Sequence, residues 1–441
     1  MDADTILRIR PELTRYLGEF EGCFGRTTTH ERFACYIRGQ LSDLRRKSIE
    51  PMADAAGIPP RNLQQLLSLF QWDEDAVRDR LQRRVSRRHH DSRSVGIIDE
   101  TSFVKKGTKT AGVQRQHCGA VGKTENCVVS VHLGYATPDF YTLLDGELFL
   151  PEVTWHEDRA RCREAGIPDE IVYRSKWQIA LAQYKRALSN GLRFAWLTFD
   201  EGYGGKPPFL RALDALGQNY VAEIPRSSYV WTTCPEVVHR EHETHRRSVR
   251  RGRGRGRKLP RLKVQTPSRA AVGNLPARSS ILRAIPWEPY RVKDGEKGPM
   301  VWEVKHIPVW LTDEDGLPTR AHHLLVARRA LDHSEIKYFL SNAPQGTSTG
   351  ELLLVAFSRW KIEQMFRETK SELGLDQFEV RKYLCLKRHL IISCVSHLFL
   401  AEFRIRHGEK KSTAHDSPGA TCDRTAGADL VPQRPLQPSC C

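Results

Sequence analysis

The chain has 441 residues, 39% of them hydrophobic, and a formal net charge of +16. It is long enough for two or three domains with a true core, and basic enough to attract a polyanion, of which nucleic acid is the usual one. No charged leader with an apolar core opens it, and its most apolar late run, Leu390 to Phe403, is interrupted by Ser393, Ser396, His397 and Glu402, so the expectation is no spanning helix and no membrane partner.

Eleven scattered cysteines without a close Cys-x-x-Cys pair fit reduced thiols in a cytoplasmic protein. Residues 1–90 read as helical, with apolar positions at three and four residue spacing in Phe33 to Leu41 and in Asn62 to Phe70. Between them Met52 to Pro60 carries a glycine turn that fits a helix-turn-helix, and fits any small helical bundle equally well. Arg80 to His90 is a basic linker or a phosphate-contacting helix end.

Residues 91–225 alternate strands and helices, which argues for an α/β sheet. Apolar strands are expected at Ser94 to Phe103, at Cys127 to Tyr135, at Phe140 to Leu144 and at Tyr220 to Ile224, with helices over Lys176 to Ser189 and Phe209 to Leu216. The first strand closes on Asp99; another, from Arg193, closes on Asp200 just before Gly202, Gly204 and Gly205.

Residues 226–340 read as a β-rich insertion. Its arginine-glycine arm, Arg246 to Lys263, carries Arg253, Arg255 and Arg257, which suit a phosphate backbone or a solvated loop. Strands are expected at Ile281 to Ile285, Val301 to Lys305, Val309 to Leu311 and His323 to Ala327. Residues 341–408 return to helix from Thr349 on, and 409–441, poor in apolar residues, read as a disordered tail.

Acids at the ends of apolar strands are costly unless paired or used, although a turn or helix cap would also explain each one. On an extended strand Val95, Ile97 and Asp99 share a face that Glu100 does not, and Phe194, Trp196, Thr198 and Asp200 share a face that Glu201 does not. A third acid lies in the late helix. There Arg359, Glu363, Arg367 and Lys370 stand at i, i+4, i+8 and i+11, so they line one stripe, either as a salt-bridged solvent face or as an acid flanked by phosphate-gripping bases. Cutting or joining a phosphodiester needs an activated attacking oxygen and a stabilised leaving oxygen, which two Mg²⁺ ions supply together, and such hard ions want carboxylate oxygens.

These residues make the sequence similar to the DDE-type transposases of bacterial insertion sequences, in the branch with a β insertion and a Tyr-x-x-Arg-x-x-x-Glu-x-x-x-x-x-x-Lys signature. Arg359, Glu363 and Lys370 match that signature in place and spacing, whereas Ala356 stands where it has tyrosine. The first two acids of the triad match Asp99 in Ile97-Ile-Asp-Glu-Thr101 and Asp200 in Thr198-Phe-Asp-Glu-Gly-Tyr-Gly204. The resemblance runs from about Ser94 to His407. It implies an α/β, RNase H-like catalytic core with a mainly β insertion, after an N-terminal helical domain that binds DNA ends. It further implies that Asp99, Asp200 and Glu363 are catalytic and bind two Mg²⁺ ions, with Mn²⁺ as a substitute. Partners would be double-stranded transposon ends and target DNA, in a dimeric synaptic complex at the bacterial nucleoid. Trp360 would stack on a displaced base or serve as a core residue. An RNase H-like nuclease without strand transfer, and a degenerate copy that only binds DNA, use the same residues.

Overall fold

Five helices open the chain: α1 (Ala3–Gly18), α2 (Thr27–Gln40), α3 (Ile49–Ala55), α4 (Pro60–Ser68) and α5 (Glu74–Arg88). Their boundaries follow local chemistry. Pro60 sits in the first turn of α4, where its missing N–H is no loss, and the Asp73 carboxylate caps α5 by accepting from the Ala76 N–H at 2.8 Å. Helix α2 buries Phe33, Tyr36, Ile37 and Gln40, the stripe its spacing predicts. The computed structural model describes residues 3–239, 259–295 and 298–407; Arg253, Arg255 and Arg257, and the expected tail, lie outside the described residues. The chain divides into two units, one built from residues up to Ala222 together with those from Ser358 on, the other from Glu223–Phe357.

In the first unit a mixed sheet follows the helices: β1 (Val95–Val104), β2 (Gln114–Cys118), β3 (Lys123–Ala136) and β4 (Tyr141–Leu148), then α6 (Arg159–Glu164), α7 (Lys176–Ser189), β5 (Trp196–Phe199), α8 (Glu201–Gly204), α9 (Pro207–Ala215) and β6 (Tyr220–Glu223). Strand β1 is antiparallel to β3 along its whole length and parallel to β5 only from Val95 to Ile98. Strand β6 extends the parallel part beyond β5. Runs such as Cys127 to Ala136, buried at every position, are what a sheet covered on both faces requires. The strand expected at Ser94 to Phe103 is present, but Asp99, expected as its closing residue, lies in its middle. The strand runs on to Val104, because β3 continues to supply backbone partners after β5 has stopped.

The second unit holds four two-residue strands, β7 (Tyr229–Val230), β8 (Val237–Val238), β9 (Arg261–Leu262) and β10 (Ala270–Ala271), and two short helices, α10 (Leu275–Arg278) and α11 (Ser280–Ala284). Its body is an antiparallel meander of β11 (Glu288–Gly295), β12 (Gly298–Thr312), β13 (Pro318–Arg329) and β14 (Ile336–Ser341). Helix α12 (Thr349–Phe357) packs Phe357 on Trp302 and Phe339. The strand expected at Ile281 to Ile285 is instead α11. The Ser279 hydroxyl caps it from the Leu282 N–H, and only Leu282 of its residues is buried, whereas a core strand would bury alternate positions.

The helical region expected from Thr349 to His407 is built of three helices. After α12, the first unit resumes with α13 (Trp360–Ser371) and α14 (Tyr383–His407). Helix α14 is buried nearly throughout, with β4 against one side and α2, α4 and α5 against others. It is the one helix among the described residues long and apolar enough to cross a membrane, yet 83% of its apolar window is buried within the protein. Its polar side chains are matched by the N-terminal helices. The Tyr16 hydroxyl donates to the Val395 carbonyl at 2.7 Å, Gln40 exchanges hydrogen bonds with Ser393 and Ser396, and Arg84 grips Glu402 with two nitrogens at 2.8 and 2.5 Å. The N-terminal helices therefore share one core with the sheet.

Burial would raise the Glu402 carboxyl, but hydrogen bonds from His89 and Arg84 hold it down at about 2, below its ordinary 4.5. A depressed carboxylate stabilises the fold fully above its unfolded value and loses that contribution as the pH falls through the folded value. Glu402→Ala should therefore cost about 3–5 kcal/mol at neutral pH, since it leaves Arg84 buried without its main partner. In urea denaturation the deficit should shrink steadily between pH 4.5 and pH 2.

Candidate active site

The parallel pairing of β1 and β5 ends at Ile98 opposite Phe199, and the next residue on each strand is an aspartate. Open α/β sheets present ligand sites at this carboxyl edge. Strand β5 stops because Asp200 turns the chain: its carboxylate accepts from the Gly202 N–H at 3.0 Å and caps α8. The capping role and nearness to Asp99 therefore coexist in one side chain.

Asp99 is only 13% exposed. One carboxylate oxygen accepts from the Glu100 N–H at 2.8 Å and the other from Arg359 Nη1 at 2.8 Å. Burial, with the charge of Asp200 added, pushes its carboxyl up to about 7 against the Arg359 guanidinium, which favours the charged form. Burial raises Asp200 as well, with Glu100 adding to the effect and Arg359 again opposing it. Two carboxyls thus share one low-dielectric corner and one cation, the arrangement that marks chemically active acids more often than structural ones.

Arg359 is delivered by α13, and α13 lies close on the sheet because Gly134 of β3 has no side chain. A Cβ there would fall 2.8 Å from Ile362 Cδ1 and 2.9 Å from Met365 Sδ. The helix is held from its buried side by Glu368, which accepts from the Tyr141 hydroxyl at 2.6 Å, from Gln364 at 2.6 Å and from Arg404 at 2.8 and 2.6 Å. Those donors, with His397, hold the Glu368 carboxyl far below the usual range although burial opposes them.

Helix α13 then turns its other face to the acids. Arg359 bridges Asp99 and Glu363, reaching the latter at 3.2 Å, and Glu363 is 62% exposed. Lys370 donates to the Ser102 carbonyl of β1 at 3.4 Å and lies over the Phe103 ring, and burial lowers its pKa. Arg367 is exposed and donates to Gln364. Trp360 is 39% exposed, a surface indole rather than a core one. The partners of Glu100 escaped the sequence reading. Glu100, on the opposite face of β1 from Asp99, pairs with Lys176 of α7 at 2.5 Å, and the buried Tyr203 hydroxyl lies 3.5 Å from it. Strand parity correctly separates Glu100 from Asp99, but nothing local in the sequence pairs it with a residue 76 positions away.

The donor set suits a hard divalent cation. Asp99 and Asp200 follow paired residues of adjacent strands, and the charge of Asp200 raises the Asp99 carboxyl, a repulsion that such an ion relieves. Glu363 joins them through Arg359 rather than directly, and among the described residues no three such groups already converge as a metal site.

Residues 19–299 match the family model described as DDE superfamily endonuclease. Both strand aspartates fall inside that match, and Glu363 lies beyond it. Over 230 residues the chain is 31% identical to the probable transposase for insertion sequence element IS701 of Microchaete diplosiphon, a stretch that covers 52% of this chain and 56% of that protein. The mixed sheet and its helices agree with the RNase H-like fold implied by the sequence resemblance.

Because Gly134 sets the approach of α13, Gly134→Ala should destabilise the protein by about 1–3 kcal/mol through overpacking. Combined with Met365→Ala the loss should be smaller than the sum of the two single losses, since the thioether is one of the atoms in the way. A double-mutant cycle in denaturant measures this, and strict additivity would refute the contact as the cause.

Proposed function

We propose a function for a chain that belongs to the DDE superfamily of endonucleases: metal-dependent cleavage of DNA at the ends of an insertion sequence, followed by transfer of the freed strand into target DNA. The observation that carries this reading is the meeting of Asp99 and Asp200 where β1 and β5 part, with Arg359 and Glu363 of α13 beside them. Similarity to the IS701 protein, named a probable transposase, supports strand transfer over hydrolysis alone.

Endonucleases of this superfamily generally work with divalent metal ions, and transposases act on DNA. Asp99, Asp200 and Glu363 would hold two Mg²⁺ ions, for which Mn²⁺ can substitute. When bound, such a pair activates the attacking oxygen and stabilises the leaving one. The protein's own groups do the rest. The buried corner strengthens electrostatic interactions with the substrate by excluding water. Arg359, Arg367 and Lys370 supply positive charge along one helix face for consecutive phosphates. Trp360, exposed beside them, offers an indole face to an unstacked base. The arm with Arg253, Arg255 and Arg257 adds charge suited to the backbone. Helices within residues 1–90 hold the DNA end, residues 226–340 form the insertion in the catalytic core, and two copies bring two ends together in the cytoplasm at the nucleoid.

The test is incubation of the full chain with labelled duplex carrying its element's flanking ends, in Mg²⁺ and in EDTA, beside Asp200→Ala. Nicking at the end should appear in Mg²⁺ and disappear in EDTA and in the variant, and joined products should follow when target plasmid is added. Nicks without joining would reduce the function to that of an endonuclease. Cleavage that survives Asp200→Ala would overturn the site.

A further inference from the structure

We infer that Lys105 is a phosphate-binding residue which, with Lys370, carries the DNA backbone along β1 away from the acids. The assignment rests on the proposed cleavage of DNA and gives the bound strand a direction across the sheet. Asp99, Thr101 and Phe103 share one face of β1. Lys105 continues that face beyond the last residue of the strand, because its N–H still donates to the Asn126 carbonyl of β3 at 2.9 Å. At the rise of a strand, Lys105 stands about 20 Å along from Asp99.

This side of β1 carries a row of cations. Arg359 meets Asp99, and further along Lys370 reaches the Ser102 carbonyl and lies over the Phe103 ring. Phe103 packs edge-on against Phe378 with ring centroids 5.2 Å apart. Lys105 Nζ lies 3.5 Å from the Phe378 centroid and donates to the Phe378 carbonyl at 2.9 Å. The order Arg359, Lys370, Lys105 thus follows the strand from the acids to its end. A row spread over about 20 Å suits a chain of repeated phosphates and not a single small anion.

Neither lysine has a carboxylate to itself. Among the described residues neither forms an ion pair, and Asp376 acts on both from a distance. Glu379, the other acid acting on Lys105, already pairs with Arg46. Burial lowers the Lys105 ammonium to about 8 and lowers Lys370 as well, as expected of positive charge with too little negative charge around it. A phosphodiester oxygen supplies what is missing.

The backbone under Lys105 is fixed, which sets it apart from a solvated surface lysine. Asn126 Nδ2 donates to the Lys105 carbonyl at 2.6 Å and to the Gly107 carbonyl at 2.8 Å. Gly107 turns the chain at φ +81, a conformation that favours glycine. A duplex strand following this face would set Lys105 about six nucleotides from the scissile phosphate, at about 3.4 Å of axis per nucleotide. A purely structural role, fastening the Phe378 loop to β1, would use the same two contacts, and salt dependence separates the two.

The experiment measures binding of the full chain to a labelled duplex of its element's end, in EDTA, from about 50 to about 200 mM salt. Wild type is compared with Lys105→Gln and Lys105→Arg. Loss of one phosphate contact should lower the slope of log affinity against log salt by about 1. The advantage of wild type over Lys105→Gln should then shrink about threefold over that range, while Lys105→Arg keeps the wild-type slope. Neutral methylphosphonates are next placed one at a time around the cleavage point. One of them, about six nucleotides away, should weaken wild type and leave Lys105→Gln unaffected. An unchanged slope in Lys105→Gln, or the same methylphosphonate losses in both proteins, would overturn the assignment. If thermal unfolding shows that glutamine loosens the fold, Lys105→Met, which keeps an apolar stem over Phe378, repeats both measurements. Metal-dependent nicking by wild type is read separately. Nicking with an unchanged slope removes Lys105 alone, whereas absence of both nicking and end binding removes the DNA reading and Lys105 with it.

Discussion

The burial of α14 on every side is the constraint from which the first unit is built. A helix that is apolar all round must be surrounded, and this one has the sheet against it through β4 and the N-terminal helices around the rest. Its polar side chains make the arrangement specific, because each would be costly to bury alone. His389 lies between the Tyr36 hydroxyl and the Leu375 carbonyl, Ser393 and Ser396 meet Gln40, and Glu402 meets Arg84. Tyr36, Gln40 and Arg84 come from sequence positions more than 300 residues earlier, so the order of the helical layer and the order of the sheet are set together.

The same helix controls the candidate site at one remove. His397 and Arg404 of α14 bond Glu368, which fixes the buried side of α13, while the missing side chain of Gly134 lets the helix approach the sheet. The exposed side of α13 is then presented to Asp99 and Asp200. Environment separates the roles of chemically similar acids. Glu368, surrounded by donors, is held strongly ionised, whereas Asp99, buried beside a second carboxyl with one arginine to share, is pushed up to about 7. The first is a structural anchor. The second sits in a buried corner with less positive charge around it than its surroundings would need to keep it ionised.

Much of this was legible in residue order. Apolar strands closing on Asp99 and Asp200 stand out against the cost of an acid in such runs, and the period of a strand separates Asp99 from Glu100, as their partners Arg359 and Lys176 bear out. The spacing of Arg359, Glu363, Arg367 and Lys370 is visible in the same way. The places where the reading failed share one cause. Strand β1 continues past Asp99 because a distant strand keeps pairing with it, and Ile281 to Ala284 coil into a helix because only Leu282 of them is buried, whereas a core strand would bury alternate positions. Local propensity is a weak guide wherever partners come from far along the chain.

The sequence by itself determined the class of the protein: a basic chain, an α/β core, three acids with an arginine and a lysine at telling intervals, and membership of a DNA-cleaving superfamily. Those properties reside in composition, periodicity and short spacings, which are local. Only the tertiary structure decided that Asp99 and Asp200 become neighbours through the parallel register of β1 and β5, that Arg359 is the cation they share, that Glu363 stands at the rim in contact with that arginine, and that the N-terminal helices are wired into the core. Each is a matter of which groups, far apart along the chain, are brought into a common low-dielectric space, and there the strength of a charge interaction depends on distance and burial rather than on residue order.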